Sequence, residues 1–221
     1  MVYTKIKICG ITRLEDARHC ESCGVDAIGF VFVAKSKRNL TLDAAADISS
    51  QLGPFTTRTG LFLNADTIEV EAALERIPGL LPQFHGQESA AWCDGFNRPY
   101  IKAIGTGSGM PDPAALAQYT QASSFLFDSN AAGELGGTGH TFDWSAIDWS
   151  ALRESLGKPL VLAGGLSHVN LQEAIETVRP YAVDASSSVE SAPGLKDHDL
   201  ISRFTAKVTQ INTRSCEGAE R

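Results

Sequence analysis

A thiol, a carboxyl group and a guanidinium stand at or just beyond the ends of apolar runs in this chain. The stretch "KIKIC" stops at Cys9, just before Gly10 and the start of a helical pattern, and "SFLFD" stops at Asp128. A thiolate can take a proton from carbon once its pKa is lowered from about 8.5 by a helix N-terminus or a nearby cation. A carboxyl group can donate a proton only while protonated, which partial desolvation of Asp128 would favour. Arg38 closes the segment "AKSKR", and its planar fork suits bidentate capture of a carboxylate. His85 ends the run "LLPQFH". Gly164 and Gly165 in "AGG", with Ser186, Ser187 and Ser188 in "DASSS", are residues that allow backbone N–H groups to converge on a phosphate. Singly, each has an ordinary explanation. A lone strand cysteine is usually a small buried hydrophobe, an Asp after an apolar run is commonly a cap or turn residue, and a structural histidine is about as frequent as a ligand-contacting one. Lys35 and Lys37 read as a solvated loop.

The elements that must position these groups alternate along the chain. Eight apolar runs occupy 5–9, 27–33, 58–63, 80–85, 100–104, 124–128, 159–163 and 181–185. Most are nearly continuous in apolar residues, as parallel strands buried on both faces should be. Helical patterns fill 13–23, 43–52, 67–76, 88–95, 112–120, 144–156, 168–177 and 198–211, and Thr12 with Glu15 and Asp66 with Glu69 read as capping boxes. Short connections suit right-handed βα units. Eight such units predict an α/β fold, a single-domain (β/α)8 TIM barrel over 1–211 with a frayed tail over 212–221; an open doubly wound sheet is the competing arrangement. Pro82 inside the fourth run predicts a strand start or a bulge. A barrel places its site at the carboxyl ends of its strands, where the polar and glycine residues collect.

Composition narrows the function classes. A net charge of −7 on 221 residues argues against a nucleic-acid partner, so an anionic ligand would have to be attracted locally. Five cysteines form no closely spaced disulfide framework, the first residues lack the apolar core of a secretion signal, and no stretch approaches the length needed to span a bilayer. A reduced, cytoplasmic monomer acting on a small molecule, with no membrane partner, is expected. Cys20 and Cys23 form a C-x-x-C beside His19, but with no second pair at zinc spacing and Gly24 at the helix end they predict ordinary helix packing.

The fragments "KICGITRLEDA", "GFVFVAKSKR", "QFHGQE", "LFDS", "GGTGHTFDW", "LAGGL" and "VDASSSVE…GLKD" resemble, in order from Lys5 to about Asp197, the strand-end motifs of the phosphoribosylanthranilate isomerase family of tryptophan biosynthesis. The resemblance implies a (β/α)8 barrel that converts N-(5′-phosphoribosyl)anthranilate to 1-(2-carboxyphenylamino)-1-deoxyribulose 5-phosphate by an Amadori rearrangement, without metal or cofactor. It implies Cys9 as general base, Asp128 as general acid, Arg38 on the anthranilate carboxylate and His85 against substrate. Gly164, Gly165, Ser186 and Ser187 would hold the phosphate and Asp184 the ribulose hydroxyls. Gly136, Gly137 and Gly139 would belong to a loop closing over substrate.

The family pattern after the eighth strand is Ser-Ser-Gly-Val-Glu, whereas this chain has Ser188 in place of the glycine. If that glycine needs positive φ, strain at Ser188 is expected. Two other functions stand beside the isomerase. A histidine-pathway sugar isomerase would resemble an aspartate pair, from which Cys9 departs, and a non-catalytic phosphosugar-binding barrel would leave Cys9 and Asp128 without a task.

Overall fold

The strands β1 (Lys5–Cys9), β2 (Ala27–Val31), β3 (Thr57–Phe62), β4 (Leu81–Phe84), β5 (Tyr100–Gly105), β6 (Ala122–Asp128), β7 (Leu160–Leu162) and β8 (Ala182–Ala185) pair in parallel in chain order. In the computed structural model, which describes residues 3–107, 109–129 and 143–217, β8 also pairs with β1, Lys5 opposite Ala182 and Lys7 opposite Asp184. That pairing closes the barrel and excludes the open sheet.

Side chains alternate between two environments, as period-2 strands require. Ile6 and Ile8 of β1, Ile28 and Phe30 of β2, Phe125 and Phe127 of β6 and Val183 of β8 join the large core beneath the helices. A separate small cluster, Ile101, Ala103, Leu126, Val161, Ala163 and Ala182, fills the barrel interior. Each fully buried Phe contributes about 1.5–3 kcal/mol, and Phe30, Phe62, Phe84, Phe125, Phe127 and Phe204 all belong to the outer core. With the outer layer carrying so much apolar burial, the interior has room for the buried polar groups Lys7, Gln83, Asp128 and Asp184.

The helices α1 (Leu14–Ser22), α2 (Leu42–Ser50), α3 (Thr67–Arg76), α4 (Ala90–Asp94), α5 (Pro113–Leu116), α6 (Trp149–Leu156), α7 (Leu171–Val178) and α8 (His198–Glu217) follow the strands. Asp66 and Glu69 form the predicted capping box. Thr12 does not cap α1: the N-cap is Arg13 without a side-chain bond, and the Thr12 hydroxyl donates to Gly194 O at 2.5 Å. Gly194 turns a short antiparallel hairpin, β9 (Glu190–Ala192) and β10 (Leu195–Lys196), which the sequence reading did not foresee. The segment 144–156 divides into a 3₁₀ turn at Trp144–Ala146 and α6.

Pro82 is the second residue of β4, opposite Gly60, and the ladder to β5 begins only at Gln83. Of the tail expected over 212–221, the part to Glu217 is helical and continues α8, while 218–221 lie outside the described residues; buried Asn212 both accepts from Thr4 N and donates to Thr4 O, at 3.0 Å each. No helix among the described residues is long and apolar enough to cross a membrane.

Candidate active site

Cys9 ends β1 with its sulfur inside the barrel, 5% exposed. Its register partner on β2 is Gly29, where a Cβ would come within 2.9 Å of the Cys9 sulfur. Gly10, at φ +79°, turns the chain out of the strand, and a Cβ there would sit 2.4 Å from Arg38 Cδ. The two glycines therefore make room for a thiol and for the stem of an arginine that crosses the strand end.

Arg38 is held from behind. Its Nε and Nη2 donate to the two carboxylate oxygens of Glu190 at 2.8 and 2.7 Å, and among the described residues Nη1 makes no hydrogen bond. Lys196 Nζ spends its three donors on Glu190 Oε1 at 2.9 Å, Cys9 O at 2.6 Å and Ser186 O at 3.0 Å. The β9–β10 hairpin thus ties together the ends of β1 and β8 and the arginine loop. Burial opposes ionisation of Glu190, but Arg38 and Lys196 hold its carboxyl below the usual glutamate value. Burial lowers the Lys196 pKa against the pull of Glu190.

Lys7 lies two residues before Cys9, on the same face of β1. Its Nζ contacts both carboxylate oxygens of Asp184 at 3.0 Å, and both side chains are almost fully buried. Burial works against a charge on Lys7, yet Asp184 and Cys9 raise its pKa above the usual lysine value. For Cys9 itself burial wins and pushes the thiol up, while Lys7 and Lys196 pull it down and Asp184 pushes it further up. At Cys9 burial therefore outweighs the neighbouring cations, the opposite of the lowering that a thiolate base requires.

Asp128 ends β6, 7% exposed, and its backbone O accepts from both the N and Oγ1 of Thr106 at 2.8 Å. His85, just past β4, brings Nε2 to 3.8 Å from Asp128 Oδ2 and Nδ1 to 3.3 Å from Gln83 Nε2. Burial keeps His85 below the ordinary imidazole pKa, hence neutral at pH 7, and an Nδ1 that accepts from Gln83 leaves the proton on Nε2, towards Asp128. The turn that carries His85 is fixed by Lys102, whose Nζ donates to Phe84 O, Gly86 O and Glu88.

After β7, Gly164 and Gly165 have φ of +84° and +63°, and a Cβ on Gly164 would meet Ser129 N at 2.4 Å. After β8, Ser187–Val189 form a 3₁₀ turn in which the Ser188 hydroxyl donates to Leu166 O. Ser188 is not among the positive-φ residues, so the expected strain is absent; its hydroxyl instead joins the two loops. Asp184 sits on Lys7, each of its oxygens keeping a lone pair free for another donor. Gly136, Gly137 and Gly139 lie outside the described residues. Cys20 is buried in the core, and Cys23 packs by His19 and Ser202 at the end of α1.

Cys9, Arg38, His85, Asp128 and Asp184, singled out in the sequence, converge on one barrel mouth. Lys7, Gly29, Gln83, Glu190 and Lys196, not named among the candidates, stand with them there. The signal for Lys7 and Gln83 was a polar residue at an inward position of a buried strand, and Glu190 and Lys196 lie within the quoted motif "VDASSSVE…GLKD"; no comparable local signal marks Gly29.

The sequence profile described as N-(5'phosphoribosyl)anthranilate (PRA) isomerase matches residues 6–207. The N-(5'-phosphoribosyl)anthranilate isomerase of Pseudomonas fluorescens (strain Pf0-1) is 49% identical over 204 residues, covering 92% of this chain and 98% of the relative. The crystal structure of phosphoribosyl anthranilate isomerase from Thermotoga maritima superposes with a TM-score of 0.82 at 38% identity, covering 94% of this chain and 99% of that one. A crystal structure of the isomerase in complex with reduced 1-(o-carboxyphenylamino)-1-deoxyribulose 5-phosphate superposes with a TM-score of 0.79 at 36% identity, with 94% and 99% coverage. A closed eight-stranded barrel, a polar mouth built at its strand ends and relatives of this closeness along nearly the whole chain show that it belongs to the N-(5'-phosphoribosyl)anthranilate isomerase family of tryptophan biosynthesis.

Proposed function

We propose that this barrel performs an Amadori rearrangement with Cys9 as general base and Asp128 as general acid. Asp128 gives its proton to the furanose ring oxygen as the C1′–O bond breaks, and the anthranilate nitrogen supplies the electron pair that makes the iminium. The Cys9 thiolate then removes the C2′ proton to give an enolamine. A proton delivered to C1′ and loss of the 2′-hydroxyl proton yield the aminoketose. Each proton transfer of this kind is worth about 10²- to 10⁴-fold in rate.

What supports the reading is one continuous buried chain of polar groups: Cys9 beside Lys7, Lys7 on Asp184, Asp184 within the field of Asp128, and Asp128 facing His85. A neutral His85 with Nε2–H outward orients the carboxyl and contacts the sugar. Arg38, tethered by Glu190, offers its free edge to the anthranilate carboxylate. Gly164, Gly165, Ser186 and Ser187 supply backbone N–H groups to the phosphate, and Asp184 accepts from a ribulose hydroxyl. The enzyme acts as a cytoplasmic monomer without metal or cofactor.

The test is to follow loss of the fluorescent anthranilate substrate with purified protein, with the histidine-pathway aldose as control. Turnover of the first substrate, and its near-complete loss in Asp128→Ala with an unchanged circular dichroism spectrum, is the expected result. Near wild-type kcat in that variant would reject the acid role.

A further inference from the structure

Burial works against the Cys9 thiolate, so a base at this position needs a cation that is not already committed. Four charged groups face the sulfur: Lys7 on the same strand, Asp184 on β8, Lys196 on β10 and Arg38 on the loop after β2. Asp128 on β6 faces Asp184 in turn, and His85 stands beside Asp128. Lys196 has given its donors to Glu190 and to two backbone carbonyls, and Arg38 has given one fork to Glu190. Lys7 is placed differently. Two of its three N–H groups reach the two oxygens of Asp184. Among the described residues the third makes no hydrogen bond, and Cys9 lies two residues along the same strand face, buried like Lys7.

The register explains the arrangement. Lys7 and Asp184 are paired residues of β1 and β8, so closure of the barrel itself tethers the ammonium on the inner face of β1, the face that carries Cys9. A buried ion pair seldom adds net stability over apolar side chains of similar volume, and an apolar floor here would have left Cys9 without an available counter-charge.

We propose that Lys7 is a positioning residue for the isomerisation: its ammonium, tethered by Asp184, is the counter-cation of the Cys9 thiolate. The proposal rests on Cys9 being the base and deepens that reading by naming what ionises it. The thiol proton leaves to solvent before the substrate closes the mouth, and the positive charge stays on Lys7 throughout.

The test reads the sulfur directly. The rate of Cys9 alkylation by iodoacetamide, located by peptide mass, is measured against pH in the wild type, Lys7→Arg, Lys7→Met and Lys7→Met/Asp184→Asn; the double variant leaves no unpaired buried charge and guards against unfolding. Loss of an opposite charge at this range moves a pKa by about 1 to 3 units. The alkylation inflection should therefore rise by about that much in Lys7→Met, rise less in the double variant, which also removes the Asp184 charge that opposes the thiolate, and stay near the wild-type value in Lys7→Arg. Over the same set, kcat should fall by about 10²-fold or more in the two methionine variants, with KM little changed in Lys7→Met and raised in the double variant by loss of the Asp184 contact to the sugar, and kcat should recover in part with arginine. An unshifted Cys9 inflection in a folded methionine variant overturns the proposal while leaving Cys9 as base. Full activity in Cys9→Ala overturns the base assignment itself, whatever the alkylation shows.

Discussion

Arg38 illustrates how a single side chain is divided between structure and function. One fork is spent on Glu190, so Arg38→Ala removes both a ligand contact and a partner of a buried carboxylate. We expect chiefly a raised KM for the anthranilate substrate, by about 10- to 100-fold, as charged hydrogen bonds of roughly 1.5–3 kcal/mol disappear; an unchanged KM in steady-state kinetics would show that another group holds the carboxylate. Glu190 adds a pH dependence. Its folded pKa lies below its unfolded value, so its contribution to stability is fully present above the unfolded pKa of about 4.3 and is lost as pH falls through the folded one. The Tm of the wild type should decline between about pH 5 and 3 more steeply than that of Glu190→Gln, and parallel slopes would contradict the assignment. Cys9, Asp128 and Arg38 were legible in sequence because strand ends and loop arginines are where barrel chemistry gathers. Glu190 and Lys196 stood within the quoted motifs, but their tasks were not legible, because those depend on contacts with residues 152 and 187 positions away, Arg38 and Cys9.

The hairpin β9–β10 gives short segments a decisive place at the scale of elements. It is held by Thr12 to Gly194 on one side and by Lys196 on the other, which is why the apparent capping box at Thr12 misled: the hydroxyl found a tertiary acceptor instead of its own helix. Strand β2 supplies the complementary device, a glycine where the Cys9 sulfur needs space. Gly29→Ala should push that sulfur out of line, lowering kcat by about 10²-fold while the barrel stays folded, in keeping with the sensitivity of catalysis to displacements of an ångström; an unchanged kcat would show that the sulfur has slack. The Ser188 substitution, read as a source of strain, is accommodated because the turn after β8 keeps negative φ there and uses the hydroxyl to reach Leu166. Element types were readable from periodicity. Their ends were not, since His85 and Ala163 lie just beyond strands whose pairing stops one residue earlier.

For the whole molecule, closure between β1 and β8 decides both shape and chemistry. Local sequence patterns predict eight βα units but carry no direct mark of the last pairing. Closure is visible only in the register that sets Lys7 against Asp184 and in the clasp at the barrel's other end, where Asn212 of α8 binds both backbone groups of Thr4. Asn212→Ala leaves two buried backbone groups unpaired and should cost about 2 kcal/mol of stability in urea unfolding without changing kcat; no loss of stability would mean that the clasp is idle. The central claim, that a sulfur ending the first strand removes a proton from the sugar, is tested most directly by the turnover number of folded Cys9→Ala on N-(5′-phosphoribosyl)anthranilate. A fall in kcat of about 10³-fold or more at near-unchanged KM is predicted; a kcat within a few-fold of wild type would contradict it.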